Sequence, residues 1–237
     1  GMMKVTILTP NYYPLVGGAE IFAQELAEHL VNAGNQVEVI TFRSDKSLEM
    51  QETVNGVNVH RMMFSRVKYV SALFAYVLLL WSVLRSGGSS DLIHSIGEGI
   101  SPIGTFAARL RNKPHLITIQ GNIVMEGGFK GRLWSALAQL SFAHADVVHV
   151  ISRKLAEEVR ALQARNIAVI PNGVDGELFN PANKERLRSA HSLSSNDIIV
   201  MSVARLHPVK GIDCLVRAAS LLAEKFASFR LIVIGEG

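Results

Sequence analysis

The chain has 237 residues, 49% of them hydrophobic and 19% charged, a composition that excludes a disordered chain and leaves room for one large domain, or one domain and part of another. The formal net charge of +4 comes without any Lys/Arg tract, so no nucleic acid partner is expected; anionic small molecules or an anionic membrane surface account for the excess equally well. A single cysteine, Cys214, excludes an intramolecular disulfide, and with no secretory leader or transit peptide legible the chain is expected in a reducing cytoplasm.

Lys4 to Leu8 is apolar, β-branched and closed off by Pro10, which predicts a short buried strand. From Ala19 the period changes. Phe22, Leu26 and Leu30 share one helical face, Gln24, Glu25 and Glu28 the other, and Gly34 stops the helix. Gly17 and Gly18 therefore stand at a helix N-terminus, where free N–H groups and the positive end of the dipole favour an anion and no Cβ blocks a phosphate. The alternative is that the pair only lets the chain turn, since no GxGxxG or GxxxxGK[ST] pattern accompanies it.

Gln36 to Phe42 is a second strand, and Asn55-Gly56 between β-prone residues signals a hairpin on one edge of the sheet. Val70 to Leu84 is the most apolar run, yet it falls short of the ~20 residues that span a bilayer. It reads as a core helix. Its flanking Arg66, Lys68 and Arg85, with Tyr76 and Trp81, keep a second reading open, peripheral contact with a membrane interface.

Asp91 to His94 is a strand running into Ser95-Ile96-Gly97-Glu98-Gly99, Ile100 to Leu110 a helix, and His115 to Ile119 a strand ending in Gln120-Gly121-Asn122. Glu126 to Gly131 is expected as a mobile glycine-rich loop, followed by a helix from Leu133 to Ala143. Asp146 to Ile151 is a strand, Ser152 caps a helix to Leu162, and Ile167 to Ile170 is a strand. Repeated strand and helix units predict an α/β fold, a Rossmann-like parallel sheet with helices on both faces and ligands at the carboxyl ends of the strands. No pair of histidines has metal-ligand spacing, so no metal is expected. His94, at a strand's carboxyl end, is either a substrate contact or a satisfied structural histidine.

Pro171-Asn172-Gly173-Val174-Asp175 follows this sheet, with Asn-Gly tolerating positive φ and Asp175 suited to cap a turn. Residues 183–196 are polar and read as a linker. Asp197 to Val203, Ile212 to Phe226 and Phe229 to Ile234 then read as strand, helix and strand. Arg205 and Lys210 lie between the first of these strands and the helix, with Gly211 at the helix start. An arginine fork and a lysine point charge there suit a diphosphate, or are two solvated cations on an ordinary loop.

Three stretches, Pro14-Leu15-Val16-Gly17-Gly18-Ala19-Glu20, Pro171 to Asp175 and Ala204-Arg205-Leu206-His207-Pro208-Val209-Lys210-Gly211, together resemble the family 4 glycosyltransferases, retaining enzymes of the two-domain GT-B fold. The resemblance implies an N-terminal acceptor-side Rossmann-like domain over 1–182, a linker over 183–196, and an incomplete second Rossmann-like domain, the truncated start of the nucleotide-sugar-binding domain, over 197–237. It implies transfer of a sugar from a nucleotide diphosphate sugar to a glycan, lipid-linked or small-molecule acceptor, with no cofactor, in cell envelope or glycan biosynthesis at the inner face of the membrane. Arg205 and Lys210 are the implied catalytic residues, stabilising the departing diphosphate. Gly17, Gly18 and Asn172 join them on the donor side; His94, Gly97, Glu98, Gln120, Asn122 and Lys130 fall on the acceptor side.

The sequence departs from the family in three places. Gln120 stands where many members carry histidine, Ala204 where many carry glycine, and the pair of glutamates eight positions apart that binds the donor is absent. A sugar-nucleotide epimerase of the same fold, or a non-catalytic acceptor-binding half whose second domain a partner chain or oligomer completes, are the competing readings.

Overall fold

In the computed structural model the described residues are 1–62, 77, 79–85, 90–121 and 128–237, the side chains of 128–134 and 182 excepted. The chain divides into two compact units, Gly1–Gly173 and Val174–Gly237.

The first unit is built on eight strands: β1 (Lys4–Leu8), β2 (Gln36–Phe42), β3 (Gln51–Val54), β4 (Val57–Met62), β5 (Leu92–Ile96), β6 (His115–Ile119), β7 (Val147–Val150) and β8 (Ile167–Val169). Their order is β3-β4-β2-β1-β5-β6-β7-β8. Every pairing is parallel except the β3–β4 hairpin at the edge. Asn55 and Gly56 turn that hairpin with φ of 50° and 83°, the positive pair that a tight two-residue turn requires.

Alternation along the strands sorts the core into two layers. Val5, Ile7, Val37, Val39, Val57 and Val59 face helix α1 (Gly18–Asn32) through Ala23 and Ala27. Leu8, Ile40 and Ile93 face the opposite way, against Leu79 and Val83 of a helical segment and against Ile103 and Ala107 of α2 (Ser101–Arg111). Ile117, Ile119, Val148 and Val150 meet Phe142 of α3 (Gly128–His144) and Leu155 and Val159 of α4 (Arg153–Ala161). Ser152 caps α4 by accepting from Leu155 N. Of the expected apolar helix over Val70 to Leu84, residues 77 and 79–85 are helical and the others lie outside the described residues.

One expectation needs correction. Gly128 to Gly131, expected in a mobile loop, open α3, because a helix that gains a packed partner outweighs the propensity cost of its glycines. Residues 183–196, expected as a linker, include a short helix, α5 (Lys184–Ala190). The second unit continues as β9 (Ile198–Val203), α6 (Ile212–Ala223) and β10 (Phe229–Ile234), the two strands pairing in parallel.

One close approach fixes α2 on the sheet. A Cβ on Gly104 would stand 2.0 Å from Ser95 Oγ and 2.6 Å from His115 Nε2, two atoms already joined at 2.9 Å. Gly104→Ala gains helix propensity of about 1 kcal/mol yet must spread this buried pair, so a net loss of about 1–3 kcal/mol is expected in urea denaturation; a variant as stable as the parent would contradict the packing.

Candidate functional site

The strand order reverses between β1 and β5, which places a crevice where the loops after these strands diverge. The first loop is held from beneath. Arg61 of β4, 1% exposed, donates to the carbonyls of Tyr13 (2.9 Å) and Glu49 (3.2 Å) and pairs with the Glu52 carboxylate. Tyr12 packs into the α1 layer; burial, with the charge of Glu28 added, pushes its phenol up to about 12. Thr9 Oγ1 donates to Asn11 O at 2.9 Å.

Gly17 and Gly18 are thereby delivered to the N-terminus of α1, where Gly17 is the N-cap in extended conformation. The carboxylate of Glu20 folds back over it. An added Cβ at Gly17 would meet Glu20 Oε2 at 2.3 Å, while Asn11 Nδ2 donates to the other oxygen at 3.1 Å. The helix end thus carries an internal anion, and Gly18 beside it faces open space. In the loop after β5, Gly97 adopts φ 106° and its N–H donates to Thr118 O at 2.9 Å. Glu98 O accepts from Ser101 Oγ at 2.8 Å.

His94 lies inside, not on the loop. Its Nε2 is 2.8 Å from Thr118 Oγ1, which is 3.0 Å from His149 Nδ1, and His149 Nε2 is 2.9 Å from Ile170 O. The carbonyl only accepts, so His149 Nε2 donates. In the neutral ring Nδ1 then accepts from Thr118, whose oxygen accepts from His94 Nε2–H. This directed row links β5, β6 and β7 to the chain just after β8. Phe22 of α1 lies against its outer member, the ring centroids 6.0 Å apart. On the opposite face Thr105 Oγ1 donates to Ser101 O, so His115 Nδ1 donates to Thr105 and Nε2 accepts from Ser95. Ser95 and His115 are both buried, a structural pair.

The row ends beside a further link. Gln120 and Asn172 exchange two amide hydrogen bonds, 3.2 Å from Gln120 Nε2 to Asn172 Oδ1 and 2.7 Å from Asn172 Nδ2 to Gln120 Oε1. A residue expected on the acceptor side and one expected on the donor side thus form one closed pair. Asp175 Oδ1 accepts from the N–H groups of Glu177 and Leu178, which hold its carboxyl below the usual range. Asn122 lies outside the described residues; Lys130 falls within α3, its side chain not described.

In the second unit the loop after β9 is fastened to the chain after β10: Ala204 N donates to Ile234 O (3.0 Å) and Leu206 N to Glu236 O (2.8 Å). A Cβ on Gly235 would strike Ala204 O at 1.9 Å. Pro208–Lys210 forms a 3-10 turn, and Gly211, at φ 63°, opens α6. Arg205 and Lys210 are exposed there, and among the described residues no hydrogen bond or ion pair engages either side-chain cation.

Sequence reasoning missed Arg61, Thr118, His149 and Glu20. The Thr118↔His149 register was the signal for two of them. Among the described residues no cluster of three His, Cys, Asp or Glu side chains could hold a metal, and no helix is long and apolar enough to cross a membrane. A hollow of about 310 Å³ lined by Lys4, Asn35, Glu38, Gly56, Asn58 and Ser90 touches none of the residues above.

A parallel-sheet unit followed by a second strand, helix and strand is the beginning of a GT-B glycosyltransferase architecture. Solved structures agree: HepE from Anabaena in complex with UDP superposes with a TM-score of 0.76 at 21% identity, over 99% of this chain and 61% of that one. Sucrose-phosphate synthase from Thermosynechococcus elongatus gives 0.71 at 20%, over 98% and 62%. The profile of Glycosyltransferase Family 4 matches residues 16–178, and that of Glycosyl transferases group 1 matches 183–237. The chain belongs to glycosyltransferase family 4. It is 25% identical to the phosphatidylinositol N-acetylglucosaminyltransferase GPI3 subunit of Saccharomyces cerevisiae, over 99% of this chain and 53% of the yeast protein. An uncharacterised glycosyltransferase of Methanocaldococcus jannaschii is 29% identical over 99% and 63%. The chain thus spans between about half and two thirds of the length of these curated relatives.

Burial holds His94 down to about 3, and a proton on His149 or His115 would act in the same direction. Burial likewise holds His115 down to about 4, offset in part by Asp146. Below the ordinary histidine pKa of about 6.5 the unfolded chain takes up protons that these folded sites refuse, so stability falls with pH. Thermal midpoints of the first unit should be highest above pH 6.5 and decline from there toward pH 4, with a shallower slope in His94→Gln. A midpoint flat across that window would contradict neutral buried histidines.

Proposed function

We propose that the protein transfers a sugar from a nucleotide diphosphate sugar to a glycan, lipid-linked or small-molecule acceptor with retention of anomeric configuration, in cell envelope or glycan biosynthesis. The observation that carries the reading is the placement of Arg205 and Lys210. Both cations stand exposed and unengaged by described residues beside the N-terminus of α6, in a loop locked to the chain after β10. As the sugar leaves, negative charge accumulates on the diphosphate. A guanidinium, an ammonium and free helix N–H groups fixed in advance stabilise that charge more in the transition state than in the ground state. On this reading the acceptor is held by the first unit, where Gly97 and Glu98 follow β5 and Gln120 follows β6, and His94 acts through Thr118 instead of touching substrate. Family membership over residues 16–178 and the complex of the similar HepE with UDP support the assignment.

A second reading is supported by the yeast relative's being named as a subunit and by the exposed Met201, Val203 and Ile234 of β9 and β10. In it a partner chain covers these residues and completes the donor side.

Arg205→Ala and Lys210→Ala, made in the full-length protein with any partner present, should each lower turnover by roughly 10²–10³-fold while the thermal midpoint stays unchanged, both residues being exposed. Unaltered turnover in both variants would sink the diphosphate assignment. Activity that appears only when a second polypeptide is added would favour the subunit reading.

A further inference from the structure

We propose that the hollow at the amino ends of β1, β2 and β4 is a binding site for a small zwitterion, a molecule that carries one ammonium and one carboxylate. A parallel sheet is covered on both faces, and its strands read as apolar runs. One face of this sheet departs from that rule. Lys4 and Thr6 of β1, Gln36 and Glu38 of β2, and Asn58 and His60 of β4 stand beside one another in register. They share the face that turns apolar further along the same strands, at Leu8, Ile40 and Met62. Polar residues on three adjoining strands add nothing to the core. Four of them, Lys4, Gln36, Glu38 and Asn58, instead line a cavity of about 310 Å³, a volume within the range of small-molecule sites.

The donors and acceptors around the cavity select its occupant. Thr6 Oγ1 donates to Glu38 Oε2 at 3.4 Å, so it accepts from the Ser90 hydroxyl. Thr6 and Ser90 are both buried, and Ser90, which lines the cavity, has only lone pairs left to offer it. His60 Nε2 stands 3.1 Å from Glu38 Oε1 and steadies the carboxylate from its other side, while each carboxylate oxygen keeps a further lone pair. A carboxylate beside a hydroxyl that can only accept suits an ammonium. Lys4 brings the opposite charge. Among the described residues no hydrogen bond or ion pair engages its ammonium. Asn58 Oδ1 accepts from Thr53 Oγ1 at 3.1 Å, which leaves the amide N–H groups of Asn58 to donate. A cation and N–H donors suit a carboxylate. Lys4 and Glu38 are diagonal neighbours on this face, yet among the described residues no ion pair joins them. A ligand with both charges satisfies both residues at once, whereas a simple anion would also meet Glu38 and a simple cation Lys4. The cavity lies at the opposite end of the sheet from the carboxyl-end loops, so the inference stands independently of the sugar-transfer reading.

The test is titration of the isotopically labelled chain with L-alanine, acetate and ethylammonium, followed by amide resonances. L-alanine keeps both charges with little else, and acetate and ethylammonium keep one each. Saturable shifts with L-alanine are expected at Lys4, Gln36, Glu38, Asn58 and Ser90. Acetate and ethylammonium should each bind roughly tenfold more weakly, because one charged residue is then left unmatched. Lys4→Gln and Glu38→Gln should each weaken L-alanine binding by roughly tenfold. Glu38→Gln retains an acceptor for Thr6, Lys4→Gln alters a side chain with no described partner, and unchanged circular dichroism verifies the fold of both. No saturable shift with L-alanine at these residues would overturn the proposal. So would acetate or ethylammonium binding as tightly as L-alanine, or L-alanine binding that both variants leave intact.

Discussion

A guanidinium shut away from water is the constraint on which the first loop depends. Arg61 reaches from β4 under the sheet's edge to the Tyr13 carbonyl, to the Glu49 carbonyl just before β3 and to the Glu52 carboxylate within it. A buried charge is tolerated only when its donors are engaged, and an arginine with three partners in a fixed fork specifies where each must stand. The hairpin, the start of α1 and the glycine loop are therefore set by one side chain. Besides it, the loop is attached through Tyr12 packing, the bonds of Thr9 N to Ile40 O and of Phe42 N to Pro10 O, and short-range bonds.

The carboxyl ends of the central strands are set in a different way. No charge is used there. A row of neutral donors and acceptors runs from His94 through Thr118 and His149 to Ile170 O, and its direction is dictated by a carbonyl that can only accept. A neutral imidazole suits this role because the ring offers one donor and one acceptor on opposite sides, and burial suppresses protonation of His94. Gln120 and Asn172, one expected on the acceptor side and one on the donor side, are paired with each other at the end of that row. The second unit repeats the logic in backbone alone: Gly235 is open enough for the chain to lie against Ala204, and two N–H···O bonds fix the Arg205 loop.

Much of this was legible in the sequence. β-branched runs gave the strands, and Asn55-Gly56 gave an edge hairpin with both turn residues at positive φ. Ser152 gave a cap that accepts from Leu155 N. What was not legible depends on lateral neighbours. Arg61 sits in an alternating strand and reads as solvated until the loop beneath it is known. Thr118 and His149 look ordinary one by one and acquire a role only through their register. Glu20 reads as solvated until its carboxylate is seen folded over Gly17 and bonded by Asn11. Gly128 and Gly131 pointed to a loop because local propensity was the only information there, whereas α3 is held by Phe142 and Ala138 packing on β6 and β7. Of the acceptor-side candidates, His94 turned inward for the same reason: a strand's end can face a neighbouring strand as readily as a ligand.

The central claim, that the loop between β9 and α6 is built to hold a diphosphate, is tested most directly by titrating the isotopically labelled chain with inorganic pyrophosphate and following amide and side-chain resonances. The account predicts saturable shifts concentrated at Arg205, Lys210 and Gly211, weakened by salt and lost when Arg205 and Lys210 are both neutralised. Shifts confined to Gly17 and Gly18, or none at Arg205 and Lys210 at any pyrophosphate concentration, would contradict it.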